Sequence, residues 1–219
     1  MPTGPPGDPG GEPLPMIDIA FEIEGTTIPR DHDSALDAAL GRVVPRMRRD
    51  GRIGVPPIRG RRAGPGRLAL RDTSRLRLRL PAEQKATDLS LVGRALNLGG
   101  SRIAVGMPHA KRLTPSPSLA SRLVIFEGVS EPANFLASVR RRPDEHGVAG
   151  EPALVPSAHP SRRGQPKRRA LEVNGAKYVG FALRLRSLTA EGSLSVQERG
   201  LGVRRGIGCG VFVPAVRRP

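Results

Sequence analysis

An α+β fold in two tandem halves is predicted by three observations. Segments with the period-two alternation of a half-buried strand recur along the chain. Segments with the spacing of a surface helix lie between them. The order strand, helix, strands, helix, strand occurs on both sides of a Pro/Ser segment, Thr114-Pro115-Ser116-Pro117-Ser118. At 219 residues, 37% of them apolar, the chain is long enough to build one large or two small cores.

Residues 1–15 (MPTGPPGDPGGEPLP) form a Pro/Gly tail with almost nothing to bury, and are expected to be disordered. The first domain is then 16–113, a linker covers 114–120, and the second domain is 121–216. Ile17, Ile19, Phe21 and Ile23 alternate with polar residues and predict the opening strand, which ends at Gly25. Asp33 or a neighbour caps a helix carrying Leu36, Leu40, Val43 and Met47. Short strands are expected at Ile53–Ile58, Arg67–Leu70 and Arg75–Leu80, followed by a helix over about 82–96 and a strand near Arg102–Val105. Beyond the linker come a strand at Arg122–Glu127, a helix at Glu131–Arg142, strands at Leu171–Val173 and Tyr178–Leu185, a helix at Ala190–Arg199 and a last strand at Gly210–Val213. Each half thus follows the βαββαβ order of a ferredoxin-like (RRM-like) domain, and a glycine-rich loop, 200–210, precedes the final strand. The repeat is structural and is not visible as residue identity.

The balance of 36 basic against 20 acidic residues leaves a net charge of +16, which points to a polyanionic partner, nucleic acid first and an anionic surface second. Arginine outnumbers lysine 32 to four, which suits forked contacts to phosphate, although a GC-rich genome would also enrich arginine. One Tyr, five Phe and no Trp leave base stacking on aromatic platforms unable to be the main mode of recognition. A single cysteine, Cys209, excludes an internal disulfide and any multi-cysteine zinc site. No cofactor or metal is called for, since none of the four histidines has ligand spacing. With no apolar run of 18 residues and no apolar leader, a cytoplasmic protein with no membrane contact is expected.

Several segments could grip phosphate. Gly202, Gly206, Gly208 and Gly210, with Arg204 and Arg205, could aim backbone amides and two guanidiniums at one anion; the plainer reading is a structural turn. Arg75, Arg77 and Arg79 alternate with Leu76, Leu78 and Leu80, so a cationic face is expected opposite an apolar one. Arg140 and Arg141 end a helix, and Arg162 and Arg163 lie in a Pro/Arg/His loop, 145–169, that shows no regular period and also carries Lys167, Arg168 and Arg169. These clusters are read as contacts to an RNA stem, with a solvated charge run as the alternative.

The order of elements and five blocks together resemble the CRISPR repeat-processing endoribonucleases, the Cas-six family. The blocks are Ile28-Pro29-x-Asp31-His32-x-x-Ala35-Leu36, Ile53-Gly54-Val55-x-Pro57-Ile58-Arg59-Gly60, Ser74 to Pro81, Glu191 to Gly202, and Gly206-Ile207-Gly208-Cys209-Gly210. The resemblance spans about Met16 to Val216. It implies metal-independent cleavage of precursor crRNA at its repeats by 2′-hydroxyl attack, giving a 2′,3′-cyclic phosphate, and retention on the product crRNA as a subunit of a type I effector complex.

That chemistry needs a proton taken from the 2′-hydroxyl and one given to the 5′-oxygen, work suited to imidazole. The resemblance places His32, at the start of the first helix, in the position of the family's usual acid or base; otherwise it is a capping or partly buried histidine. Ser74 and Arg75 are candidate helpers that would position the hydroxyl or neutralise the phosphate. His109, His146 and His159 are weaker candidates. The tyrosine that partners the histidine in some branches has no counterpart here, because Tyr178 lies in a strand of the second half. A non-catalytic subunit holding the processed guide RNA fits the same residues, and charge and size alone would also allow a ribosome- or nucleoid-associated structural protein.

Overall fold

The computed structural model describes residues 15–215 except 49, 142–149 and 174. Residues 1–14 of the expected tail, Val216, the start of the basic loop and His146 therefore lie outside the described residues.

In chain order the strands are β1 (Met16–Glu24), β2 (Thr27–Pro29), β3 (Arg61–Arg62), β4 (Arg67–Ala69), β5 (Arg75–Pro81), β6 (Ala95–Leu98), β7 (Ser101–Arg112), β8 (Leu119–Val124), β9 (Glu151–Leu154), β10 (Arg168–Val173), β11 (Ala176–Arg186) and β12 (Val213–Pro214). The α-helices are α1 (Asp33–Val43), α2 (Pro132–Arg140) and α3 (Ala190–Arg199). The protein is α+β, and every strand pairing is antiparallel.

The second half keeps the expected order, with β10-β11-β8-β12 as its sheet and β9 added against β11. In the first half the sheet is β5-β1-β7-β6, so the lone strand β5 comes before the hairpin β6-β7 instead of after it. Two local causes account for the difference. Ile53–Ile58 contains Pro56-Pro57, which cannot donate to a ladder, and only a bridge from Gly54 to Arg79 ties it to β5. Residues 82–91 form a 3-10 segment that stops short of Ala95, and Gly99-Gly100, both at positive φ, turn β6 into β7.

The alternation seen in the sequence sets the first core. Ile17, Ile19 and Phe21 lie opposite Leu80, Leu78 and Leu76, and Leu36, Ala39 and Leu40 of α1 are buried in the same core. A second core gathers Phe126, Phe135 and Phe181, whose rings stack at tilted and edge-on angles, with Leu183, Leu185, Val196 and Phe212.

Arg79 fastens the halves together. Its side chain is 1% exposed; Nε and Nη2 donate to the two Asp18 carboxylate oxygens at 2.7 and 2.9 Å, and Nη1 donates to the carbonyls of Gln197 (3.0 Å) and Phe212 (2.6 Å). The Pro/Ser linker is held too: Gln197 Nε2 donates to Thr114 O, and Ser193 Oγ accepts from the Ser116 amide. The described part of the basic loop is an ordered hairpin, with Lys167 N–H bonded to Val155 O and Ser157 N–H to Gln165 O. Its irregular composition concealed these ladders.

Candidate nucleic-acid interface

Where α1 begins, the two halves meet in a cleft of about 770 Å³. Arg30 and Asp31 enter it from the first half, and the 155–167 hairpin supplies His159, Arg162 and Lys167. One wall is an ion-pair network. Arg122 of β8 reaches Asp31 at 3.0 Å, Asp33 at 3.1 Å and the Arg30 carbonyl at 2.7 Å, while Arg169 of β10 pairs with the same two carboxylates. Burial pushes the Asp31 carboxyl up, but Arg169, Arg122 and Arg30 outweigh it and hold the group below its usual range.

Lys167 is in the opposite position. Partial burial, then the neighbouring charges of Arg169, Arg30, Arg122 and Arg62, lower its pKa, so its ammonium releases a proton more readily than a solvated lysine would. At the hairpin tip, exposed His159 has Nδ1 2.9 Å from Ser161 Oγ.

His32 does not open onto this cleft. It is fully buried; Nδ1–H donates to Pro29 O at 2.9 Å and Nε2 accepts the Ile58 amide at 3.1 Å, so both nitrogens are engaged in one neutral tautomer. Burial lowers its pKa, helped by Arg122 and Arg169 and opposed by Asp33 and the Pro29 bond. Ser74 is likewise buried: its hydroxyl donates to Arg59 O at 2.7 Å and accepts the Arg71 amide at 3.0 Å. Two of the three residues expected to take part in the chemistry, His32 and Ser74, thus converge on adjacent peptides, Ile58 N–H and Arg59 C=O, and brace that segment. In this arrangement neither presents a free group to a substrate.

The other expected contacts divide. Arg75 and Arg77 lie half-buried in a separate arginine-lined pocket, with Arg75 Nη1 on the carbonyls of Ser74 (2.8 Å) and Asp72. Arg79 is unavailable, being inside the junction. Arg140, Arg141, Arg162 and Arg163 are exposed, and of these Arg162 lines the cleft.

Part of the glycine loop serves close packing. A Cβ at Gly210 would stand 1.9 Å from Leu201 O, one at Gly202 2.2 Å from Ile125 O, and one at Gly208 2.7 Å from Val55 O; all three have positive φ. Amides expected to face phosphate are used internally: Gly208 N–H bonds Arg205 O, Cys209 N–H bonds Arg204 O and Gly210 N–H bonds Leu123 O. Gly206 has only distant neighbours. Arg204 lies 4.5 Å over the Tyr178 ring and bonds its hydroxyl. Arg205 is buried, with its pKa lowered to about 10 by desolvation and by Arg79. Cys209 is buried with its thiol pushed up to about 12, chiefly by desolvation, which keeps it from acting as a nucleophile near neutral pH.

The network of Asp31, Asp33, Arg122 and Arg169 was not visible in the sequence because its members are up to 138 residues apart. Lys167 was visible only as one charge in a run. No helix among the described residues is long and apolar enough to cross a membrane.

Comparison with known proteins adds the family to the fold. The family model described as Cas6 Crispr matches residues 17–217. The CRISPR-associated endonuclease Cas6 of Myxococcus xanthus (strain DK1622) is 36% identical over 207 residues, covering 94% of this chain and 85% of that protein. Among solved structures, a CRISPR associated protein Cas6 is similar with a TM-score of 0.59 at 10% identity, covering 92% of this chain and 100% of the other. A Cas6-related protein from Pyrococcus furiosus gives 0.55 at 14% identity, covering 90% and 98%. At such low identity these two speak to the fold alone.

Proposed function

The chain belongs to the Cas6 family of CRISPR-associated endoribonucleases, and from that premise we propose that it binds CRISPR repeat RNA across the cleft between its halves and cuts precursor crRNA there. The observation that carries the reading is Lys167 lining the cleft together with Arg30 and Arg169, with the charges of Arg122 and Arg62 also acting on its amine.

The reaction is a transesterification that needs no metal ion. The 2′-hydroxyl gives up its proton to solvent and its oxygen bonds to the adjacent phosphorus; the bond from phosphorus to the 5′-oxygen breaks, and that oxygen takes up a proton from the Lys167 ammonium, which solvent then reprotonates. A 2′,3′-cyclic phosphate remains on the upstream fragment. Lys167, with its ammonium weakened by burial and by like charges, supplies the proton to the 5′-oxygen, and the surrounding guanidiniums stabilise the charge that builds on the phosphate. Asp31 and Asp33 hold Arg122 and Arg169 in fixed directions. His32 acts behind this surface as a positioning residue, tying the turn that carries Asp31 and Asp33 to the Ile58 peptide. The product crRNA stays on the protein, which then serves as a subunit of an effector complex.

The test is incubation of the purified protein with the repeat RNA of its own genome in EDTA, with mass spectrometry of the upstream 3′ end. A single cut ending in cyclic phosphate, lost in Lys167→Ala while binding persists, supports the reading. Tight binding with no cut by the unmodified protein would transfer the assignment to a guide-holding subunit.

A further inference from the structure

A second concavity lies on the first half, outside the cleft. It measures about 340 Å³, and five guanidiniums, those of Arg59, Arg61, Arg71, Arg75 and Arg77, line it. No carboxylate lines it, in contrast to the cleft wall, where Asp31 and Asp33 offset Arg122 and Arg169. Burial and the charge of Arg77 lower the pKa of Arg59. Like charges gathered in a concavity repel one another unless an anion enters it.

The pocket is also built and held. His32 fixes the Ile58 amide and Ser74 fixes the Arg59 carbonyl, so the segment presenting Arg59 is braced from both sides. Arg75 is tied to the carbonyls of Asp72 and Ser74. A residue pair leads from here to the cleft: adjacent residues of a strand point to opposite faces, and in β3 Arg61 lines the pocket while Arg62 bears on Lys167. Across the sheet, Arg77, Ala20 and the exposed His109 stand in one row.

We propose that this arginine pocket is a second phosphate-backbone site, which holds an unpaired segment of the same RNA strand as it runs from the cleft past Arg62 and Arg61. The inference rests on the RNA-processing reading of the cleft. A single strand is favoured over a stem because a duplex is a wide convex cylinder that cannot enter so small a concavity, whereas an unpaired backbone can turn its phosphates inward and lay bases against guanidinium planes.

The test compares two RNAs by fluorescence anisotropy: the repeat stem with its cleavage site, and the same stem carrying single-stranded flanks. The wild type is expected to bind the flanked RNA at least about tenfold more tightly, with a steeper salt dependence. In Arg59→Gln/Arg71→Gln that preference should fall to within about twofold, and a 4-thiouridine in the flank should crosslink to the 59–77 region of the wild type. Thermal melting establishes that the variant is folded, and the wild-type crosslink tests the site without any substitution. An equal preference in variant and wild type, no preference in the wild type, or flank crosslinks elsewhere would each overturn the proposal. Failure of the wild type to bind either RNA would instead bring down the underlying functional reading, and the proposal with it.

Discussion

Replacing His32 separates a residue that transfers protons from one that braces the site. In His32→Ala the Ile58 amide and the Pro29 carbonyl lose their buried partner, each at a cost of about 1–3 kcal/mol, and a ring-sized void adds to this. The expected loss is at least about 2–6 kcal/mol, a fall in melting temperature of roughly 2–4 °C per kcal/mol for a chain of this size. His32→Gln can place its amide oxygen near the former Nε2 and accept from Ile58 again, recovering about half of that loss, but it cannot act as an acid or base. Measured by urea unfolding and single-turnover cleavage, His32→Gln should keep most of the cleavage rate and His32→Ala should lose much of it. The pH dependence has a definite sign. The imidazole pKa is lowered in the folded state from 6.5, so the unfolded chain binds the proton first; the His32 contribution is complete above pH 6.5 and is lost as pH falls toward the folded value. His32→Gln should lack that acid-side component. A His32→Gln protein that folds, binds RNA and cannot cut would refute the bracing argument and return proton transfer to His32.

Lys167→Ala should slow cleavage by roughly 10²- to 10⁴-fold with binding changed only a few-fold, and Lys167→Arg should restore binding but not rate, both read in single-turnover assays. Arg79→Ala leaves the Asp18 carboxylate and two carbonyls without their partner and should cost about 3–5 kcal/mol in urea unfolding. Gly210→Ala drives a methyl against Leu201 O at positive φ and should abolish folding, whereas Gly66→Ala, at the same φ of 65° but in open space, should cost only about 1–2 kcal/mol by thermal melting.

What was legible in the sequence was what depends on neighbours along the chain. The alternation of Ile17 to Ile23 and of Leu76 to Leu80 gave two strands and their inner faces, and the spacing of Leu36 and Leu40 gave α1. The hairpin at Gly99-Gly100 was also written there but was overridden by an apparent helical period through Leu96. The candidate site was less legible because its meaning depends on burial. Arg75, Arg77 and Arg79 look alike on one strand, yet the last is sealed by the second half while the other two stay accessible. Glycines that suggested amides free for phosphate are there because backbone crosses backbone. Pattern alone does not distinguish these cases.

The Arg79 contact also bears on the order in which the protein can mature. During synthesis β1 and β5 leave the ribosome long before Gln197 and Phe212, so until then the Arg79–Asp18 pair is an open surface pair of little worth. Only when the last strand docks is the guanidinium sealed and its two remaining acceptors supplied. The first half therefore completes its own electrostatics with atoms from the end of the chain, and a nascent chain interrupted before residue 212 carries an unfinished first half as well as an unfinished second one.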